Sequence, residues 1–217
     1  MTPTTQVYIL SWNARSRKHT EAIVTGIKQF DPQEVLDKAT VLFQCKGFTA
    51  TSMQDIVGTL GISRGSLYDT FGNKQALYIA ALKNYHHQQF QQMKQLLEEA
   101  PTAKSGIKTL LGHIAGMSQG TNGRLGCLIG NTIIERAIHD KESEDIATNA
   151  VTQNIRLLTE TLQRAQQEGD FPKERDPEQA ARLLQTNMQG LVLMGVALPS
   201  IATLQQIADD MFNSLFQ

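Results

Sequence analysis

Cysteine is almost missing from this chain: Cys45 and Cys127 are the only two in 217 residues. Two thiols make no disulfide framework, and a reducing cytosol keeps both free. Proline is scarce too, with six residues, so little interrupts helix formation. No apolar run approaches the roughly 18 residues that a bilayer-spanning helix needs. Met1–Leu10 lacks the charged start and the apolar length of a secretion signal. A cytoplasmic chain is the expectation. Catalytic signatures are missing as well. There is no Gly-rich phosphate loop, no metal-spaced Cys/His set and no local Ser-His-Asp pattern. The five histidines are scattered, and the adjacent pair His86 and His87 must face different ways on a helix. Neither enzyme, metal site nor cofactor is expected; an enzyme would need residues assembled by the fold alone.

A basic excess is also lacking, since the net charge is −1. Its distribution is uneven. Residues 1–85 hold nine Lys+Arg against six Asp+Glu, and residues 86–217 hold eleven against fifteen. A mildly basic first part on an acidic body permits a DNA-facing role without requiring one. The 41% apolar fraction is that of an ordinary globular protein, long enough for one large or two small domains.

What is present centres on Thr51–Lys74, TSMQDIVGTLGISRGSLYDTFGNK. Ser52 and Asp55 stand as a capping box, and Met53, Ile56, Val57 and Leu60 form one apolar helical stripe. Gly61 suits a left-handed helix end. Ser63 caps a second helix, with Ile62 and Leu67 spaced as a hydrophobic staple. Two short helices with a tight turn are a helix-turn-helix pattern. The second would expose Ser63, Arg64, Gly65, Ser66, Tyr68, Asp69 and Thr70. Small residues allow close approach to DNA, while Arg64 and Tyr68 reach phosphates or base edges. Two core-packed helices without nucleic acid fit the same pattern.

The stretch GFTATSMQDIVGTLGISRGSLYDTFGNKQALYIAAL resembles the DNA-binding region of the TetR (tetracycline-repressor-like) family of bacterial transcriptional regulators. The likeness runs from about Phe30 to Leu82. It includes Gly47-Phe48, Thr51-Ser52, Gly61-Ile62-Ser63, Leu67-Tyr68, Phe71 and Lys74. The resemblance implies a homodimer, a two-fold symmetric operator and a divergent C-terminal ligand domain.

Taken in order, residues 1–29 carry a basic cluster, Arg15, Arg17, Lys18 and His19. They suit a phosphate-contacting arm, a disordered tail, or sequence upstream of a start near Val24; Lys28 sits beside the first helix. That helix should begin at Asp31, with Pro32 first, Glu34 completing a D-x-x-E box and Phe30 stapling to Val35. Gly47 should stop it, with Phe48 folding back on its last turn; Cys45 near its end reads as a small side chain only. Phe71 should anchor the second reading helix. Asn73 should cap a fourth helix running to about Glu99, where Lys74 and the helix terminus form a phosphate clamp.

Beyond Pro101, Ile107, Leu110, Leu111 and Ile114 mark another helix, and Gly116, Gly120 and Asn122-Gly123 loosen the following segment into a loop. Gly126–Ile138 is apolar on nearly every face and reads as a buried helix. On it, Asn131 and Glu135 share a face and need partners: a ligand, a neighbouring helix or another subunit. Cys127 begins that helix, where a thiol suits an oxidant or electrophile sensor or simply fills space. A long helix from about Ile146 should end at Gly169. Asp176-Pro177 starts the next, Pro199 ends it, and Thr203 with Gln206 caps the last. These two terminal helices carry more apolar surface than one body needs, which suits a four-helix dimer interface; a self-contained core is the alternative. Met117 and Met188, with Met194, suit an adaptable pocket.

The sequence therefore points to an all-α chain. A helix-turn-helix domain is expected at 30–76, and a larger helical effector and dimerisation domain at 77–217. The expected function is a dimeric repressor released from a palindromic operator by a small molecule. DNA-facing candidates are Thr51, Ser52, Ser63, Arg64, Gly65, Ser66, Tyr68, Thr70 and Lys74. Ligand-facing candidates are Met117, Cys127, Asn131, Glu135 and Met188. A rival, an architectural DNA binder, would have no pocket in its body.

Overall fold

The computed structural model describes residues 30–117, 125–198 and 200–217. The proposed arm at 1–29, Lys28, Gly120, Asn122-Gly123 and Pro199 lie outside these; Gly116, expected in a loop, instead lies within the helix Ala103–Met117. Among the described residues there are nine α-helices and no strand. They are α1 Pro32–Lys46, α2 Met53–Leu60, α3 Arg64–Phe71, α4 Lys74–Glu98 and α5 Ala103–Met117. Then come α6 Leu128–Glu135, α7 Lys141–Glu168, α8 Pro177–Ala197 and α9 Ile201–Phe216.

The start signals act much as their chemistry requires. Ser52 and Asp55 close both halves of a capping box on α2. Asn73 accepts from the Ala76 N–H at the head of α4, and Asp176 from Glu178 at the head of α8. Gly61 ends α2 at φ 69° and ψ 24°, the left-handed region that a side chain would resist. Two caps differ from expectation. Asp31 accepts from the Gln33 N–H, while Glu34 pairs with Lys38 at 2.7 Å instead of closing a box. The last helix is capped by Ser200, which accepts from the Thr203 N–H; Gln206 bonds Asp210 instead. Both follow from a competing partner one turn along the helix.

The apolar side chains form two clusters. One joins α1–α3 to the first half of α4 through residues such as Phe43, Ile56, Leu67, Leu77 and Tyr78, and takes in Leu128 and Ile129 of α6. The other joins the far end of α4 to α5, α7, α8 and α9 around Leu97, Ile107, Leu158, Leu184 and Leu204. The 25-residue α4 belongs to both, and so does α7, whose Ala147 and Ala150 join the first cluster. Between its two apolar ends lies a polar middle, Tyr85 to Gln92, rich in histidine and glutamine.

The expectation of a helix buried all round at Gly126–Ile138 is corrected. The helix α6 spans only Leu128–Glu135 and buries Leu128, Ile129 and Thr132. Ile134 and Ile138 stand 80% and 78% exposed. Apolar composition alone does not distinguish a core face from an unpartnered outer face.

Candidate nucleic-acid interface

The helix α3 is held by one side chain and presents the rest. Leu67 is fully buried, whereas Ser63, Arg64, Gly65, Tyr68, Asp69 and Thr70 are exposed. Ser63 Oγ accepts from the Ser66 N–H at 3.0 Å and lies 2.9 Å from Ser66 Oγ, so this pair stiffens the leading turn. A Cβ on Gly65 would meet nothing closer than Ser63 Oγ at 3.7 Å. Nothing inside the chain demands glycine there. The space it leaves faces outward.

Thr51 and Ser52 differ. Ser52 is exposed, its hydroxyl donating to Asp55. Thr51 is 1% exposed, and its hydroxyl donates to the Gly47 carbonyl at 2.6 Å. Thr51 braces the turn between α1 and α2, so its side chain as a phosphate contact is withdrawn. Lys46 Nζ sits 2.6 Å from Asp55 and, with the Ser52 bonds, holds that carboxyl well below its usual range. Lys74 opens α4, but its ammonium lies 4.3 Å from the centre of the Phe48 ring. Partial burial there lowers its pKa, against the pull of Glu135.

Phe48 is the node under the reading head. It meets Tyr78 edge-on at 5.0 Å, and Tyr78 meets Phe43 likewise at 4.9 Å. The Arg136 guanidinium lies 3.9 Å from the Phe48 ring centre. Glu135 then grips the backbone, accepting from the Phe48 N–H at 3.0 Å and the Thr49 N–H at 2.7 Å. Gly47, at φ 73°, is needed beside it: a Cβ would come within 2.8 Å of the Glu135 carboxylate. Burial raises the Glu135 pKa, yet the two backbone N–H bonds more than offset this, and the net shift is downward. Glu135 as a ligand contact is therefore corrected. It is a clamp from α6 onto the helix-turn-helix. The two ends of that clamp are 86–87 residues apart in sequence, which is why spacing could not reveal it.

A cavity of about 550 Å³ opens along the polar middle of α4. Of the ligand candidates, Met117, Cys127 and Met188 line it. Asn131 does not; its Nδ2 points back at the Leu125 carbonyl, 3.5 Å away. Sequence reasoning missed the polar wall: Tyr85, His86 and Gln89 on α4, His113 on α5, and Gln185 and Gln189 on α8. The spacing of Tyr85, Gln89 and Gln92 on one face of a long helix was the available signal. The Tyr85 pKa is pushed well up by burial and by contact with Cys127.

A third surface lies on α8 and the head of α9. Leu183, Leu193, Val196, Leu198 and Ile201 are large, apolar and exposed. Gly190 among them would tolerate a Cβ without contact, so the chain itself does not require its smallness. Among the described residues there is no His/Cys/Asp/Glu group suited to a metal, and no helix long and apolar enough to cross a membrane.

A buttressed, outward polar helix behind a capped turn, on an all-helical body, defines a helix-turn-helix DNA-binding protein. The bacterial tetR regulatory protein model matches residues 35–81, and the tetracyclin repressor-like C-terminal domain model matches residues 103–211. The chain belongs to the TetR family of bacterial transcriptional regulators. It is 29% identical over 183 residues to the uncharacterized HTH-type transcriptional regulator YezE of Bacillus subtilis (strain 168), covering 84% of this chain and 94% of that one. It is 29% identical over 185 residues to the HTH-type transcriptional repressor ComR of Escherichia coli (strain K12), covering 83% and 87%. A cysteine mutant of the TetR family regulator CifR, complexed with 26-bp operator DNA, shares the fold at TM-score 0.76 and 23% identity, covering 88% and 100%. The chain is thus a DNA-binding transcription regulator and not an enzyme.

Proposed function

We propose that the chain is a cytoplasmic homodimeric repressor released from a palindromic operator by a small molecule. The observation that carries the DNA-reading part is the single buried anchor of α3, Leu67, with six exposed residues around it. Residues 30–76 would form the reading head and 77–217 the effector and dimerisation body. Each subunit lays α3 in a major groove, with half-sites about 34–36 Å apart or a multiple of that. Arg64, Gly65 and Ser66 face base edges; Ser52, Tyr68, Thr70 and Lys74 hold phosphates, and Ser63 orders the leading turn. The apolar row on α8 and α9 supports pairing with a second copy. The cavity favours an effector-responsive protein over an architectural binder.

Quantitative footprinting with gel-shift titration tests this. Arg64→Ala should cost about 1–3 kcal/mol on the operator and relax specificity, while Lys74→Ala should weaken all sequences alike and reduce the salt slope by about 1. Equal loss on operator and random DNA for Arg64→Ala would contradict base reading. A protein that stays monomeric in sedimentation and ignores DNA at low salt would end the proposal. Cys127 is read as part of the cavity wall rather than a sensor. Oxidant should therefore affect operator binding by the parent and by Cys127→Ser alike; a response confined to the parent would assign sensing to the thiol.

A further inference from the structure

We propose that the cavity takes an uncharged ligand with a largely apolar body and a hydroxyl or amide group that donates to Gln185. This rests on the effector reading above and specifies the chemistry of that site. Gln185 is 4% exposed, yet its Oε1 has no hydrogen-bond partner among the described residues. His86 Nε2 and His113 Nε2 are likewise buried and unpartnered. All three side chains line the cavity. Buried polar atoms without partners are costly, and these three lie just behind the wall of one cavity, where a small side-chain rotation would bring them to a bound molecule.

The wall also restricts the ligand's charge. Among the described residues no lysine or arginine lines the cavity. The one acid among the described lining residues, Asp37, already accepts on Oδ1 from Gln33, Asn84 and Gln88. Burial lowers the pKa of both histidines, with His87 adding to the effect at His86, which favours the neutral imidazoles. A carboxylate or phosphate would find no counter-charge on the described wall, and burying an unpaired charge is far costlier than burying a paired hydroxyl. An ammonium would face imidazoles and amides with the single acid already engaged. The apolar part has Met93, Leu110, Met188 and Val192 to lie against. A volume of about 550 Å³ falls within the usual range for drug-sized ligand sites.

The test compares 2-naphthol, 2-naphthoate and 2-naphthylmethylammonium, one ring system in three charge states. Binding to the full chain is measured by calorimetry, and operator release by gel shift. Naphthol should bind at least about tenfold more tightly than either ion, equivalent to 1.4 kcal/mol. Gln185→Leu should remove at least that factor for naphthol, while its ligand-free protein melts no lower than the parent, because the change deletes an orphan polar group. Tighter binding of an ion, no naphthol binding at its solubility limit, or unchanged affinity in folded Gln185→Leu would each overturn the proposal. Naphthol that binds without releasing operator would leave the ligand class standing and count against the effector reading. An ion that binds best and releases operator would do the reverse.

Discussion

Glu135→Ala should destabilise the protein by about 2 kcal/mol and break the link between cavity and operator. Its carboxylate takes two backbone N–H bonds, from Phe48 and Thr49. Bonds to a charged group contribute about 1.5–3 kcal/mol each, and water can replace part of this at exposed Thr49. The greater effect should be on regulation. The helix α6 begins at the cavity wall, where Cys127 and Ile129 lie, and ends at this clamp. At 1.5 Å per residue its eight residues make a strut about 12 Å long. Halfway along, Thr132 bonds the buried Tyr78 hydroxyl at 2.8 Å. A ligand that shifts the strut's start shifts the Phe48–Thr49 backbone at its end. Glu135→Ala should therefore keep ligand affinity while losing most of an expected coupling of about 1–3 kcal/mol. Operator titrations with and without bound ligand check this, and full coupling in the variant would assign the signal to α4 alone. The pH sign follows from the lowered Glu135 pKa. The clamp's contribution is complete above the ordinary carboxylate value of 4.5 and is lost as pH falls through the lower folded value. Glu135→Gln should shallow the acid limb of stability.

Leu67→Ala should cost about 2–5 kcal/mol, the usual range for emptying a fully buried leucine site. Leu67 is 0% exposed and is the only buried residue of α3. The loss should fall on the reading head: operator binding should vanish while the helices of the second cluster keep their dichroism. Urea melts followed at two wavelengths, together with gel shifts, measure both. A cost below about 1 kcal/mol would mean that another contact holds α3.

Local chemistry was legible in the sequence wherever it was local. Ser52 with Asp55, Gly61, Ser63, Asn73 and Asp176-Pro177 mark their helix ends because a cap depends on partners within four residues. Contacts across the chain were not legible. The same Glu135 carboxylate suits a pocket as well as a clamp, and only the packing of α6 against α1 separates the two. Thr51 reads as a surface hydroxyl until the Gly47 carbonyl is found above it. His86 reads as half of a poor metal pair, since its neighbours His113 and Gln185 come from α5 and α8. Gly126–Ile138 misleads for a related reason: Ile134 and Ile138 are apolar, but no element among the described residues covers them.

The two apolar clusters are bridged by α4 and α7, and on α4 a band rich in histidine and glutamine lies between them. A molecule so divided can melt in halves. Scanning calorimetry of the empty protein should show a broadened or double transition, the reading head parting from the body at Tyr85–Gln92. A molecule seated in that band would weld the halves into one cooperative unit, and the same heat should then appear as a single, narrower peak.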